Sequence, residues 1–320
     1  MPKPDLAALR AAAEIVYRSM TPTAQIRWPL LEMRCGCEVW VKHENHTPTG
    51  AFKIRGGLVY MDDFARRNPD ASGVICATRG NHGQSVAMAA RAQGVAAVIV
   101  APLGNSPAKN QAMRAYGAEL IEHGDDFNAA LDHAVALADQ RGLHMMGSYG
   151  DLLVRGVASY SLELLAAAPD LDALYVPIGL GSGVCGAIAA RDALYRKTSI
   201  VGVVSENAAA YALSFEAQKP VSTNSADTFA DGMAVRVPNP DALDVILAGV
   251  ERIVTVSDAQ ILAAMGDYFD DTHNIAEGAG AAPLAALLKD RDAMAGKSAG
   301  LILSGGNLDR NLYMRALAQG

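Results

Sequence analysis

Short, apolar-rich runs alternate with segments of helical period through most of this chain. In the first half, Gly73–Ala77, Val95–Ala101, Glu119–Glu122 and Leu143–Met146 read as strands. Ser85–Gln93, Pro107–Tyr116 and Asp125–Asp139 read as the helices between them. The alternation returns in the second half, with strands at Leu174–Ile178, Ile200–Ser205, Arg252–Val256 and Gly300–Ser304. Helices are predicted over Gly183–Tyr195, from about Asp258, over Gly278–Leu288 and over Leu308–Ala318. The Ala-rich, amphipathic Leu6–Val16 predicts a first helix, and Cys37–Lys42 a strand. A strand apolar on both faces needs cover on both faces, so the pattern predicts an α/β fold of parallel sheets flanked by helices. Lys219–Pro240 is polar and Pro-containing and predicts a long connection, a place where function often resides. Two such sheet units facing one another leave a cleft lined by loops at the carboxyl ends of strands.

Composition narrows the partners. The chain has 320 residues, 51% of them hydrophobic, and a formal net charge of -7. That length allows two domains with cores of their own. No basic stripe or aromatic–basic interleaving is present, so no nucleic-acid partner is expected. No apolar run approaches the ~18 residues of a membrane span, and no membrane association is expected. The start, Met1-Pro2-Lys3-Pro4-Asp5, has no apolar core behind its charge, so no leader is expected. Cys35, Cys37, Cys76 and Cys185 do not have the spacing of a disulfide framework. Cys35-Gly36-Cys37 reads as a turn before a strand, without the partner cluster a metal site needs. A reducing cytoplasm is the expected compartment.

Candidate chemistry centres on Lys53, in Thr49-Gly50-Ala51-Phe52-Lys53-Ile54-Arg55-Gly56-Gly57. A lysine in an apolar, Gly-bounded context is a candidate Schiff-base amine, because desolvation or nearby positive charge destabilises its ammonium form. Phe52 can wall one side of a planar ring, and Arg55 is expected to add positive field. Gly179-Leu180-Gly181-Ser182-Gly183 follows a strand and opens a helix, a place for a phosphate on free N–H groups and the helix dipole. It lacks the dinucleotide and P-loop spacings. Ser304-Gly305-Gly306-Asn307 follows another apolar strand and offers a hydroxyl to a pyridine nitrogen. Gly80-Asn81-His82-Gly83-Gln84 opens a helix whose amides suit a carboxylate, and Asn81 suits a phenolic oxygen. His82 reads either as a general base or as a histidine satisfying local backbone. Ala230-Asp231-Gly232 is a further glycine-containing motif. A reactive lysine with a phosphate cradle points to pyridoxal phosphate (PLP).

These ordered motifs resemble the tryptophan-synthase-β-like superfamily of PLP enzymes (PLP fold type II), in its threonine/serine dehydratase and serine racemase branch. The resemblance runs from Thr21-Pro22 to Asn307. It implies a large PLP-binding domain from 1–47 plus 149–320 and a small mobile domain from 48–148. It implies that Lys53 carries the cofactor and moves the α-proton, while Phe52 lies against the ring and Asn81 contacts its oxygen. Gly179, Leu180, Gly181, Ser182 and Gly183 would hold the phosphate, and Ser304 would meet the pyridine nitrogen as a further catalytic residue. Thr78, Arg79, Gly80, Asn81 and His82 match the segment that binds the substrate carboxylate. Glu277-Gly278-Ala279-Gly280 matches the segment with a glutamate on the pyridine side. The implied assembly is a homodimer or homotetramer. The chain ends soon after its last expected helix, so neither a C-terminal regulatory domain nor feedback control by isoleucine is expected.

The expected activity is that of an ammonia-lyase (dehydratase) turning a β-hydroxy-L-amino acid into a 2-oxo acid and ammonia. A neutral Ser304 would leave the ring a weaker electron sink, which suits β-elimination. A β-replacement synthase, a racemase and a non-catalytic binding protein are the rivals. Four departures from the family pattern stand out: Ala51 for a common Ser, Arg79 for the racemase's second base serine, Leu180 for a glycine, and Gly156-Val157-Ala158-Ser159 for Gly-Gln-Gly-Thr. Arginine is a poor proton acceptor, so Arg79 argues against racemisation. It could instead bind a side-chain carboxylate as in 3-hydroxyaspartate, stack on an aryl ring as in phenylserine, or pair with a neighbouring acid. Glu206 and Ala210 match a cation site of some relatives, but Ala212 stands where the second carboxylate belongs, so no metal is expected.

Overall fold

The computed structural model of the chain describes residues 3–168 and 170–318; Met1-Pro2, where a leader would begin, lies outside the described residues. The strands, in chain order, are β1 (Gln25–Arg27), β2 (Glu38–His43), β3 (Val74–Ala77), β4 (Ala97–Ala101), β5 (Glu119–Glu122), β6 (His144–Met145), β7 (Ala173–Pro177), β8 (Ser199–Ser205), β9 (Arg252–Val256) and β10 (Ser298–Leu303). The first seven helices are α1 (Leu6–Tyr17), α2 (Pro29–Cys35), α3 (Lys53–Arg67), α4 (Asn81–Ala92), α5 (Pro107–Ala115), α6 (Phe127–Arg141) and α7 (Asp151–Ala167). They are followed by α8 (Ser182–Ala193), α9 (Ala210–Ala217), α10 (Pro240–Gly249), α11 (Asp258–Thr272), α12 (Gly278–Lys289) and α13 (Arg310–Leu317).

Two sheets carry the fold. The six-stranded sheet has the order β1-β2-β10-β7-β8-β9, and the four-stranded sheet the order β5-β4-β3-β6. All pairings are parallel except β1 with β2. The expected covering of both faces is present. In the large sheet, Tyr175, Val201, Leu301 and Leu303 point to one side and pack with residues of α11 and α12. Leu174, Val176, Ile200 and Ile302 point to the other and pack with α7, α8 and α10. The small sheet divides in the same way, Cys76 and Ile99 on one side and Ile75 and Val98 on the other. Alternate side chains therefore enter different cores, which is why these strands read as continuously apolar.

Cys35 ends α2, and Gly36 caps that helix in the left-handed conformation (φ 70°), so the Cys-Gly-Cys segment is the turn expected before β2. All four cysteines are free and buried. Residues 218–239 hold only a short 3-10 turn at Asp231–Met233, as the polar connection predicts. Five helices have no counterpart in the hydropathy pattern: α2, α3, α7, α9 and α10. The reason is clearest for α3 and α7. Both contain glycines that read as breakers; α7 is buried over much of its circumference and so shows no single apolar stripe, whereas α3 is amphipathic and its stripe is masked by Gly56 and Gly57. Their glycines serve close packing instead. A Cβ at Gly56 would lie 2.7 Å from the Leu153 carbonyl oxygen, and one at Gly156 would lie 2.3 Å from that of Arg55.

A buried charge network sits beside this helix crossing. Arg55 is fully buried and donates from Nε to Glu44 Oε2 at 2.6 Å, from Nη1 to Glu163 Oε1 at 2.6 Å, and from Nη1 to Ser159 Oγ at 2.9 Å. Buried Lys42 donates to Glu163 Oε2 at 2.5 Å. Two cations and two carboxylates thus cancel. Ion pairs at this depth lose much of their Coulombic gain to desolvation, so removing one member costs more than removing a matched pair. Glu44→Leu should lower unfolding free energy by about 3–5 kcal/mol. Glu44→Leu with Arg55→Met should recover a large part, because Lys42 and Glu163 remain paired. Denaturant midpoints of the two variants check this; a double variant no more stable than the single one counts against charge balance as the cause.

Candidate functional site

The site forms where the carboxyl ends of β3, β7 and β10 converge on the start of α3. Backbone bonds join segments far apart in sequence. Phe52 N–H donates to the Ser304 carbonyl (3.0 Å), Gly306 N–H donates to the Gly50 carbonyl (2.9 Å), and Ala51 forms an antiparallel bridge with Gly305. Gly50 is obligatory here. Its φ is +67°, and a Cβ would lie 2.6 Å from Asn307 Oδ1. Ser304, read as the end of a strand, lies just past β10 and is 2% exposed.

Lys53 is the first residue of α3. Its amine donates to Ser182 Oγ at 3.2 Å and lies 5.2 Å from the Phe52 ring centre. Burial alone pulls its pKa down to about 8. The expected positive field from Arg55 is corrected: that guanidinium turns to Glu44 and Glu163, which neutralise it. Phe52 in turn packs edge-on against Tyr160, whose hydroxyl donates to the Gly183 carbonyl at 3.1 Å.

The glycine loop spans the gap from β7 to α8. Gly181 takes the left-handed conformation (φ +105°) and caps α8 without a side chain. The amides of the first turn therefore remain open to an anion. A Cβ at Gly179 would lie 2.2 Å from the Gly232 carbonyl oxygen, so the Ala230-Asp231-Gly232 motif is the loop's outer wall. Tyr211 braces the loop by donating to the Leu180 carbonyl at 3.0 Å. Tyr211 lacked any sequence signal for this role, since it borders no glycine motif; Tyr160 directly follows the Gly156-Val157-Ala158-Ser159 segment, which pointed to no such role.

The Thr78–His82 segment joins β3 to α4. Thr78 Oγ1 accepts from the Gly80 amide at 3.1 Å, which takes one N–H away from the set expected for a carboxylate. The α4 N-terminus has no side-chain cap, so the following amides stay available. Arg79 is exposed at the turn's tip between buried Thr78 and Gly80. His82 is 8% exposed, and its Nε2 has no hydrogen-bond partner. Burial first, then the nearby charge of Lys53, pulls its pKa down to about 4, so the imidazole is neutral at pH 7. The backbone group that acts on the His82 ring is that of Met146, far along the chain, and not the local backbone of the helix start, while Nε2 stays free.

Asn81 is held by a triad. Its Nδ2 donates to Glu277 Oε1 at 2.8 Å, and its Oδ1 accepts from Asn307 Nδ2 at 2.8 Å. Asn307 N–H also donates to Glu277 Oε2 at 3.2 Å. Burial pushes the Glu277 carboxyl up to about 7, against the lowering effects of Lys109, Asn81 and Asn307. Lys109, on α5, escaped the sequence reading. Its amine pairs with Asp231 Oδ2 at 2.9 Å, and its Cδ would lie 3.1 Å from a Cβ at Gly80. A lysine in a polar helix carries no sequence mark of such a place. Glu206, the candidate cation ligand, lies away from this site in a surface recess with Asn207, Thr223, Ser225 and Asp227.

These residues fit PLP. The glycine loop leaves open amides for a phosphate, Phe52 offers a ring face beside a buried amine of lowered pKa, and Gly305 can hold no Cβ without meeting Glu277 Oε1 at 2.6 Å. Comparison with known proteins agrees. A family profile described as "Pyridoxal-phosphate dependent enzyme" matches residues 16–305. The chain is similar to an L-threonine ammonia-lyase of Geobacter sulfurreducens, 36% identical over 278 residues, covering 86% of this chain and 69% of that protein. Its fold is similar to maize serine racemase (TM-score 0.92, 25% identity, 99% of this chain and 98% of that one). It is likewise similar to threonine deaminase isoform 2 of Solanum lycopersicum (TM-score 0.90, 28% identity, 99% and 95%). The chain therefore has the two-domain α/β fold of PLP fold type II and belongs to the family of pyridoxal-phosphate dependent enzymes.

Proposed function

We propose that this PLP-dependent enzyme is an ammonia-lyase that converts a β-hydroxy-L-amino acid of the threonine/serine type to a 2-oxo acid and ammonia. PLP supplies a Schiff-base linkage and an electron sink for the α-carbon. Lys53 carries that linkage and, once freed, accepts the α-proton; its burial keeps a sizeable fraction of the amine neutral near pH 8. The α4 amides, the glycine loop and Asn81 hold the substrate carboxylate, the phosphate and the ring oxygen. Ser304 meets the pyridine nitrogen. The α-proton and the β-hydroxyl leave as water, and the released enamine takes up water to give the 2-oxo acid and ammonia. The span 48–148 acts as a small body that closes over the substrate, against the large body of 1–47 and 149–320. The enzyme works as a homodimer or homotetramer in the cytoplasm.

One observation carries the choice of elimination over racemisation. Lys53 is the buried amine of lowered pKa, whereas the position read as the racemase's second base holds Arg79, and a guanidinium is a poor proton acceptor. Similarity to both threonine ammonia-lyases and serine racemase leaves the reaction to this local chemistry. The test is a substrate panel without added nucleophile, reading ammonia, 2-oxo acid and D-amino acid. Ammonia with equimolar 2-oxo acid supports the lyase. D-product at a comparable rate, or turnover only with a second nucleophile, overturns it.

Lys53→Ala should cut turnover by about three orders of magnitude or more while leaving the circular-dichroism spectrum unchanged. Borohydride reduction and peptide mapping should place the cofactor on Lys53 in the parent enzyme; a label elsewhere removes it from this role.

Ser304→Asp should raise racemisation or transamination relative to elimination, because a carboxylate would hold the ring nitrogen protonated. Product ratios at equal cofactor occupancy measure this, and unchanged ratios reject the assignment.

Glu277 has its pKa raised from 4.5 to about 7, so between these values the folded state holds a proton that the unfolded state has lost. Its contribution to stability therefore falls as pH rises through this window. Buried His43 and His82 act with opposite sign, but equally in both proteins compared. Glu277→Gln should gain up to about 3 kcal/mol on the parent, both cofactor-free, from pH 4.5 to 7. Denaturant titrations at the two pH values check the difference.

A further inference from the structure

Two sides of the proposed small body, 48–148, meet the rest of the chain in different ways. On one side the contact is close and apolar. Gly56 and Gly156 bring α3 against α7, and Ala12, Ile54, Leu58 and Leu153 share one core. On the other side α5 faces the segments around Asp231, Glu277 and Asp309. Met113 of α5 belongs to the core of α3 and α4, whereas Ala230, Ala276 and Leu308 belong to that of α11 and α12. Polar side chains join the two. Lys109 Nζ donates to Asp231 Oδ2 at 2.9 Å. Ser106 caps α5 by accepting from the Lys109 amide at 3.3 Å, and its hydroxyl donates to Asp309 Oδ1 at 2.6 Å. Burial works against the Lys109 charge, yet Asp231, Glu277 and Asp309 hold its pKa above the usual lysine value. One cation of α5 thus faces three acids from three separate segments.

We propose that the first turn of α5 is a latch: Lys109 and Ser106 hold the small body closed over the site, and their release from Asp231 and Asp309 opens it. The inference rests on the PLP-bound, two-body reading of the proposed function and deepens it. Position favours it. The Lys109 stem crosses the turn assigned to the substrate carboxylate, with Cδ 3.1 Å from where a Cβ of Gly80 would lie. Its anchor Asp231 precedes Gly232, whose carbonyl oxygen walls Gly179 of the glycine loop. The latch therefore ties the carboxylate turn of one body to the phosphate loop of the other. Energetics favour it as well. Partly exposed polar contacts contribute factors of about two to five each to an equilibrium, so a seam made of them can part and re-form. The interlocked glycines of α3 and α7 have no such freedom, and they serve as the pivot.

The test uses the holoenzyme and needs no turnover. Hydroxylamine, a small neutral nucleophile, displaces a lysine from its Schiff base with PLP when it can reach the linkage, and loss of the imine absorbance gives the rate. Lys109→Met keeps the aliphatic stem over Gly80 and removes the charge; it should speed this loss about five- to tenfold, while Lys109→Arg should stay within about twofold of the parent. Ser106→Ala and Asp309→Asn, at the exposed end of α5, should each speed it about two- to threefold. Their double variant should do no more than either alone, because all three lose the same hydrogen bond. Raising salt from about 0.05 to about 0.5 M should speed the loss in the parent but not in Lys109→Met. Amide hydrogen exchange over residues 78–83 should rise in the same order as the rates. Unchanged rates in Lys109→Met and Ser106→Ala overturn the latch. So does a faster loss in Lys109→Met that neither salt nor Asp309→Asn reproduces, since Lys109 would then be only a wall of the cleft. If the rates follow the expected pattern but no substrate yields a 2-oxo acid, the lyase reading fails and the latch stands. If 2-oxo acid forms and the variants lose the imine at the parent rate, the reverse holds.

Discussion

The backbone seam between residues 50–52 and 304–306 is the constraint on which the rest of the site depends. Two hydrogen bonds and one bridge join the entry to α3 with the exit of β10. The seam sets Lys53 and Ser304 as neighbours and admits no side chain at Gly50 or Gly305. From it follow the start of α3, the direction of the Lys53 side chain toward Ser182, and the position of Asn307 beside Asn81 and Glu277. A shift of the seam would move the amine, the pyridine-side hydroxyl and the Asn81 triad together.

Behind the seam, the structure separates charge that must stay inert from charge that must react. Arg55, two residues after Lys53, is saturated by two carboxylates and two hydroxyls, so it anchors α3 without acting on the amine. Lys53 receives only a hydroxyl and a ring, and burial leaves it easier to deprotonate. Glu277 is in an intermediate state: it accepts hydrogen bonds from Asn81 and Asn307, yet burial outweighs them. The same low-dielectric interior thus gives one fixed network and two groups that titrate close to neutral pH.

Much of the architecture could be read along the chain. The strands β3, β4, β7, β8, β9 and β10 lie where short apolar runs predict them, because each buries both faces. Helices α3 and α7 were hidden because their glycines, which look like breakers in one dimension, permit contact between helices in three. The glycine motifs also marked the candidate site, since each strand-to-helix turn needs close backbone approach. The Asp231 motif was visible, but its function as the wall behind Gly179 was not.

The sequence by itself determined the α/β class, the motif order and the candidate amine, because these rest on local periodicity and on turns that only certain residues allow. Tertiary structure decided which charges meet. It turned Arg55 away from Lys53, brought Glu277 to Asn81, set Lys109 beneath Gly80 and left Arg79 without a partner. Proton affinity and recognition depend on burial and on neighbours within a few ångströms, and here those neighbours come from positions as far apart as 81 and 307. No local pattern encodes such a meeting.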